Sequence, residues 1–359
     1  MPDLQKLSHI YTVRPLLRAC ADVKRVHASI SGHDALHMRL LHAASTQGRW
    51  WQKFLARRLQ SNWRLFQKIA PWFDGQQRRF SRPSTLTFEV DPAHAKSFVF
   101  DSLDVTFRSY YAPKRDAGQT HEPEVWLLLK LLLVDAQPDA PVFYYIGANW
   151  GVHGFILAQW PGFSGAIHAF EANPQVAALA ADITAQLNLT SCIHIHSHGL
   201  SNRQSKALMG GFGRTGDSST GQVGESGTVE VHLCRLEDLT LPAPTVMKLD
   251  VENHEYEVLQ GAQETIQKHR PYILLESWGI RIDPSIDTSF PALQWLTEQQ
   301  YILYETRWQA QRATEGVLCL TPLTVTERQE KPEMLNLLAI PQECVTAFQE
   351  LFLNADSSI

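Results

Sequence analysis

The sequence predicts an α/β fold: a mostly parallel sheet with helices on both faces. Three observations predict it. From Val142 onward, short apolar runs alternate with segments of helical length. These runs are apolar throughout, which suits strands covered on both sides. A glycine turn follows the first run, and acids stand at the ends of later ones.

In chain order, apolar residues from Leu4 to about Phe80 recur at three- and four-residue spacing, as in Trp50, Phe54, Leu55, Leu59, Trp63 and Phe66, so a helical region is expected there. Ser84 to Tyr111 switches to strand-like alternation (Leu86, Phe88, Val90, then Phe98, Val99, Phe100 and Val105, Phe107), which predicts a small β segment. Helix formation resumes at His121-Glu122-Pro123-Glu124, with Pro123 at a first-turn position where its missing N–H costs nothing, and runs through Leu133. The regular alternation follows. Strands are expected at 142–146, 166–170, 193–196, 229–233, 245–249 and 272–276, with helices at 153–159, 174–187 and 256–268. Seven glycines between Met209 and Thr228 rule out a packed element. That run is either a surface loop or a lid that orders over ligand. The domain division that results is a helical region at 1–82, a β segment at 83–120, a main domain at 121–345 and a C-terminal tail at 346–359.

A chain of 359 residues, 44% hydrophobic and 19% charged, has room for about two domains. The net charge of −5 argues against nucleic-acid binding through overall charge. That mean conceals a split. Residues 1–82 carry fifteen Lys or Arg against four Asp or Glu, and the remainder is strongly acidic. The basic front, with Trp50, Trp51 and Trp63, is either a helical appendage or a docking face for an anionic membrane or an acidic polymer. The N-terminus lacks a secretory pattern, and no run approaches the roughly 20 apolar residues that span a bilayer. Five dispersed cysteines without C-x-x-C spacing fit a reducing compartment. A cytoplasmic location is expected.

Chemistry concentrates at three strand ends. The first is Tyr145-Ile146-Gly147-Ala148-Asn149-Trp150-Gly151, where Gly147 and Gly151 allow a tight turn. The second is Phe170-Glu171-Ala172-Asn173-Pro174, where Glu171 can accept from two ribose hydroxyls. Asn149 stands where a dinucleotide fingerprint needs glycine, and no P-loop is present, so an adenosine ligand without a pyrophosphate is indicated. This points to S-adenosylmethionine and away from a nicotinamide oxidoreductase. The third is Lys248-Leu249-Asp250-Val251-Glu252-Asn253-His254-Glu255, which is either a structural ion-pair network or a catalytic floor. Glu276 reaches the same edge on the next strand. His194, His196 and His198 alternate along one strand and are placed toward the adenine side, whereas His153 is read as packing.

The series Y-I-G-A-N-W-G, H-A-F-E-A-N-P, H-G-L-S-N, V-M-K-L-D-V-E-N-H-E-Y-E-V-L-Q-G-A and R-P-Y-I-L-L-E resembles the FkbM-type methyltransferases in order and spacing, over about residues 120 to 342. The resemblance implies a class I methyltransferase (Rossmann-like) sheet, S-adenosylmethionine as cofactor and, most often, O-methylation of a hydroxyl on a sugar, glycan or secondary metabolite. Two positions depart from the family pattern. Tyr145 stands where an acid is usual, and Asn253 where glycine is usual; asparagine tolerates a left-handed backbone. The residues expected to hold the cofactor are Tyr145, Gly147, Asn149, Gly151, Glu171, Ala172 and Asp250, with Asp250 or Glu124 supplying the charge that Tyr145 lacks. His254, Glu252 and Asp250 are the catalytic candidates. His254 is favoured as base because its ordinary pKa of about 6.5 leaves it mostly neutral at pH 7. An alternative use of Asp250, Glu252 and Glu276 is as oxygen ligands for Mg²⁺. Trp150, Trp278, Trp295 and Trp308 are candidates for stacking on a sugar face. Tyr145 also motivates a rival: a methyltransferase fold that has lost catalysis and serves as a binding or scaffold protein.

Overall fold

The first described element corrects the helical reading of the N-terminus. Leu7–Thr12 is a strand, β1, with Leu7 and Tyr11 buried and Ser8 and Ile10 exposed. Its two-residue period was hidden among apolar residues that also satisfy helical spacing. It pairs antiparallel with a strand far along the chain, Leu7 facing Leu320 and Thr12 facing Glu315. The computed structural model describes residues 4–12, 17–19, 83–88, 96–101, 121–209, 229–278, 290–311 and 315–354. The segment containing Trp50, Trp51 and Trp63, the pair Val105 and Phe107, and the glycine-rich run after Met209 lie outside these residues. Strands β2 (Leu17–Ala19), β3 (Pro83–Phe88) and β4 (Lys96–Asp101) form a separate antiparallel sheet in the order β2-β3-β4; β3 and β4 fall in the region read as a β segment, whereas β2 is a second strand in the region read as helical.

Helix α1 (Pro123–Lys130) then runs on into a π-helical turn at Leu131–Asp135. The alternation follows as β5 (Val142–Ile146), α2 (Val152–Ala158), β6 (Ala166–Phe170), α3 (Pro174–Gln186) and β7 (Ile193–His196). The start of α3 is written in its sequence: Asn173 Oδ1 accepts from the Gln175 N–H at 3.0 Å, and Pro174 opens the first turn. Strands β8 (Gly199–Leu200), β9 (Ser205–Met209) and β10 (Val229–Cys234) make a small sheet of their own, so the run at 229–233 is a strand but leaves the main sheet. The chain continues through β11 (Val246–Leu249), α4 (Glu255–Gly261), α5 (Gln263–His269), β12 (Tyr272–Ser277) and α6 (Pro291–Glu298). It ends with β13 (Tyr301–Ala310), β14 (Glu315–Pro322), α7 (Val325–Gln329), β15 (Leu335–Pro341) and α8 (Val345–Leu353). The single helix expected at 256–268 is thus two, broken at Ala262.

The main sheet has the order β1-β14-β13-β15-β12-β11-β5-β6-β7. From β12 to β7 all neighbours are parallel, and β15 runs antiparallel between β12 and β13. This order, with one reversed strand slotted in beside the fifth, is that of a class I methyltransferase sheet. Both faces are buried. Phe143 and Tyr145 of β5 enter one core with the leucines of α1, and Val142, Tyr144 and Ile146 enter the other with α4 and α6. A strand so covered has no reason to alternate polar residues.

The expected tail at 346–359 is also corrected through residue 353. Helix α8 places Val345, Phe348 and Phe352 in the first core, with Phe352 6.4 Å from the Tyr11 ring. No helix among the described residues is long and apolar enough to cross a membrane.

Candidate active site

The carboxyl ends of β5, β6 and β11 meet where the strand order reverses, the position at which open α/β sheets hold ligands. The turn after β5 is left-handed at Gly147 (φ 78°), Asn149 (φ 52°) and Gly151 (φ 91°). A Cβ on Gly147 would lie 1.9 Å from the Asp250 carbonyl oxygen, so only glycine lets this turn rest on the end of β11. Glu171, 8% exposed, clamps the turn: Oε2 accepts from the Asn149 N–H and Oε1 from the Asn173 N–H, each at 2.8 Å. Burial raises its pKa to about 7 against the lowering effect of those two bonds. Ala172 turns away and packs beside the small sheet against Met209, Val231 and Leu233.

Beneath the turn lies a buried charge cluster. Lys248, 1% exposed, donates to Asp250 Oδ2 at 2.6 Å. Burial disfavours its charge, but Asp250, Glu122 and Glu276 outweigh that and hold its pKa above the usual lysine value. Tyr145 fills the position of the usual acid. Its ring sits 5.7 Å from Lys248 Nζ, and its hydroxyl lies 3.4 Å from His153 Nδ1. Burial, then Asp250 and Glu122, push the phenol pKa well up, so it stays neutral. His153 stacks on Trp126 at 4.4 Å between centroids, and its Nε2 faces Glu122 Oε2 at 3.6 Å. Burial depresses the His153 pKa. Glu122 moves the other way: burial opposes its charge, yet His153, Lys248 and His121 hold its pKa well below the ordinary value. Glu276 is driven well upward by burial and by Asp250 and Glu122.

Glu122 is the residue that motif reading missed. The charge that Tyr145 cannot supply was sought in Asp250 or Glu124, but Glu124 Oε1 accepts from Asn336 Nδ2 at 2.9 Å. Its neighbour across Pro123, held at φ 47°, faces the cluster. The available signal was the H-E-P-E sequence itself, because a helix opening on proline directs the preceding side chain apart from those that follow.

Glu252 (φ 53°) and Asn253 (φ 73°) form consecutive left-handed residues after β11, which is the conformation that a glycine at 253 would also adopt. His254 caps α4. Its Nε2 lies 3.0 Å from Ser201 Oγ and its Nδ1 3.6 Å from Glu257 Oε2. Burial lowers its pKa. Ser201 is itself buried, so the pair ties α4 to the end of β8. Asp250, Glu252 and Glu276 are not gathered into a ligand shell: Lys248 is the cation among them, and no group of three His, Cys, Asp or Glu among the described residues is placed to hold a metal ion.

On the flank, His168 Nδ1 and His196 Nε2 are 3.0 Å apart, and their rings stack in a ladder with His194 and Phe170. Burial, reinforced by neighbouring histidines, brings both pKa values to about 4. His198, just past β7, has a buried Nε2 with no partner. Of the four tryptophans considered for stacking, Trp150 and Trp295 are core, and the Trp308 ring lies over Gly316. Trp278 lines a pocket.

Residues 146–303 match the Methyltransferase FkbM domain family. No curated protein matches the chain. Among solved structures, the chain is similar to the methyltransferase FkbM from Methylobacillus flagellatus KT, at 16% identity over 50% of this chain and 43% of that one, with a TM-score of 0.36. It therefore spans less than half the length of that protein. It is also similar to a SAM-dependent O-methyltransferase from Thermotoga maritima, at 13% identity over 71% and 77% with a TM-score of 0.34. A third similar structure is the O-methyltransferase from Bacillus cereus in complex with SAH, at 13% identity over 61% and 91% with a TM-score of 0.34.

Proposed function

We infer that this chain, whose residues 146–303 belong to the FkbM methyltransferase domain family, is an S-adenosylmethionine-dependent O-methyltransferase acting on a hydroxyl of a sugar, glycan or secondary metabolite. The observation that carries this reading is the left-handed turn Gly147–Gly151, clamped by Glu171 and resting on Asp250.

The residues present fit the cofactor. Glu171 keeps a free lone pair on each oxygen after its two backbone bonds, enough for two ribose hydroxyls. His198 Nε2 is a buried polar atom in need of a partner, on the side assigned to the purine. Asp250 and Glu122 together carry more negative charge than Lys248 neutralises, which suits the cationic methionine end and supports a cofactor-binding enzyme over the non-catalytic scaffold that Tyr145 suggested. When bound, S-adenosylmethionine supplies an electrophilic methyl carbon. The protein aligns the acceptor oxygen with that carbon, excludes water and receives the hydroxyl proton as the oxygen attacks. We assign the proton to His254, which burial keeps neutral at pH 7, with Glu252 on the preceding turn as the alternative.

Calorimetry with S-adenosylhomocysteine tests the cofactor assignment, and absence of binding heat would overturn it. Mass spectrometry of metabolites and surface glycans from cells with and without the gene should reveal an acceptor lighter by one methyl group in the deletant. We further assign acceptor recognition or contact with an anionic surface to the basic residues before Arg82, in a cytoplasmic setting. Because β1 belongs to the main sheet, the deletion that tests this removes residues 20–82 and leaves 1–19 in place. It should spare S-adenosylhomocysteine binding and reduce acceptor turnover or vesicle association.

A further inference from the structure

Beyond the carboxyl ends of β11 and β12 lies a pocket of about 90 Å³ lined by Asn253, Glu255, Tyr256, Glu276, Trp278 and Phe290, among others. Glu255 is 7% exposed and its Oε1 has no hydrogen-bond partner; Trp278 Nε1 is likewise buried and unpartnered. Buried polar atoms are nearly always paired, so an acceptor and a donor left open in one pocket describe the missing occupant. A hydroxyl group is both donor and acceptor and answers each of them.

We propose that this pocket is the acceptor site and that it takes the hydroxyl-bearing edge of a neutral, sugar-like polyol in preference to an anionic molecule. The proposal rests on the methyl-transfer reading above. The pocket borders the cofactor turn, since Asp250, which supports Gly147, acts electrostatically on both Glu255 and Glu276. Its lining includes acids and no lysine or arginine. The cations nearby are committed: Lys248 to Asp250, and Arg328, behind the Phe290 ring, to Ser277 and the carbonyls of Lys331 and Glu333. A phosphate or carboxylate would find no counter-charge there. Burial raises Glu255 to about 7 and Glu276 well above the ordinary carboxyl range, so near neutral pH Glu255 is only partly ionised and can act as an uncharged hydrogen-bonding group, while whatever charge it keeps repels an anion. Tyr256, Trp278 and Phe290 offer ring surface to the C–H face of a sugar.

The test uses the full chain labelled with ¹⁵N-tryptophan, with the Trp278 indole signal assigned from Trp278→Phe. It is titrated with methyl α-D-glucopyranoside and methyl α-L-rhamnopyranoside, and with glucuronate and glucose 6-phosphate, in the presence and absence of S-adenosylhomocysteine. At least one neutral glycoside should move the Trp278 signal saturably, with the anionic sugars at least about tenfold weaker. By saturation-transfer NMR, Glu255→Leu should weaken the glycoside about tenfold or more while S-adenosylhomocysteine affinity stays within about twofold. Glu255→Gln keeps an acceptor oxygen, guards against a folding defect in the leucine variant and should retain most of the binding. A Trp278 signal unmoved by any neutral glycoside, anionic sugars that bind equally well, or glycoside binding indifferent to both Glu255→Leu and Trp278→Phe would overturn the proposal. Failure of S-adenosylhomocysteine alone to bind would overturn the methyl-transfer reading instead, and the glycoside titration without it would still test the pocket.

Discussion

Glu171 and Glu255 stand at two points along the same edge of the sheet, are buried to nearly the same degree and are both raised to a pKa of about 7 by that burial. Their bonding differs. Both oxygens of Glu171 are held by backbone N–H groups, one from the turn after β5 and one from the N-cap of α3. The backbone near Glu255, at Val251, Asn253 and its own residue, only tempers the rise in its pKa, and its Oε1 is left open to the pocket. A raised pKa therefore reports desolvation in both and function in neither; what separates them is where the remaining lone pairs point.

Breaking the clamp should have the largest effect. Glu171→Leu leaves the Asn149 and Asn173 N–H groups without an acceptor, and at roughly 1–3 kcal/mol for each orphaned donor the expected loss is about 4 kcal/mol in urea denaturation. S-adenosylhomocysteine binding should vanish. A loss below about 1 kcal/mol would show that the turn does not depend on the clamp.

The second test separates the two acids by pH. For a glutamate whose folded pKa is raised, stability is fully present below the unfolded value and declines as pH climbs toward the folded one. The interval from 4.5 to about 7 corresponds to roughly 3 kcal/mol for each residue. Glu255→Gln removes this ionisation and keeps an acceptor oxygen, so its stability relative to wild type should improve between pH 5 and pH 8 by up to about 3 kcal/mol. Glu171→Gln should gain less, because a glutamine offers one acceptor oxygen to two N–H donors. Equal gains would erase the distinction drawn between them.

Gly147→Ala probes the surface on which the clamped turn rests. The added methyl would meet the Asp250 carbonyl, and the left-handed backbone costs an alanine about 1–2 kcal/mol more, so S-adenosylhomocysteine affinity should fall at least about 30-fold by calorimetry. Unchanged affinity would mean that the contact between β5 and β11 is not needed to shape the site.

The smallest effect expected is a pH slope. Ribose hydroxyls donate to the ionised form of Glu171, so S-adenosylhomocysteine affinity should rise up to about tenfold per pH unit below 7 and level off above it. Glu171→Gln should flatten that profile; a slope that persists would assign it to another group, Glu276 first.

Much of the backbone at the carboxyl ends of β5, β6 and β11 was legible in the sequence because its determinants are local. Gly147 and Gly151 announce left-handed backbone, Asn173-Pro174 announces a helix start, and Asn253 keeps the turn that glycine would make. The antiparallel strands β13 to β15 escaped notice because no local pattern records their partners. The N-terminal strand was misread because six residues are too few to separate a period of two from one of 3.6 amid a long apolar-rich stretch. Glu122 escaped for a related reason: its role depends on α1 being laid beside α2, so that His153 lies between it and Tyr145.

By itself, the sequence determined the class of fold, most of its strands from Val142 to Glu276 and the left-handed turn after β5, since each follows from residues adjacent in the chain. Only the tertiary structure decided that Glu122 supplies a charge, that Lys248 occupies the centre of the acidic cluster, that both oxygens of Glu171 are bonded by backbone N–H groups and that Glu255 Oε1 has no partner. Those outcomes depend on desolvation and on which buried donors meet which acceptors, and both are settled by packing between segments far apart in the chain.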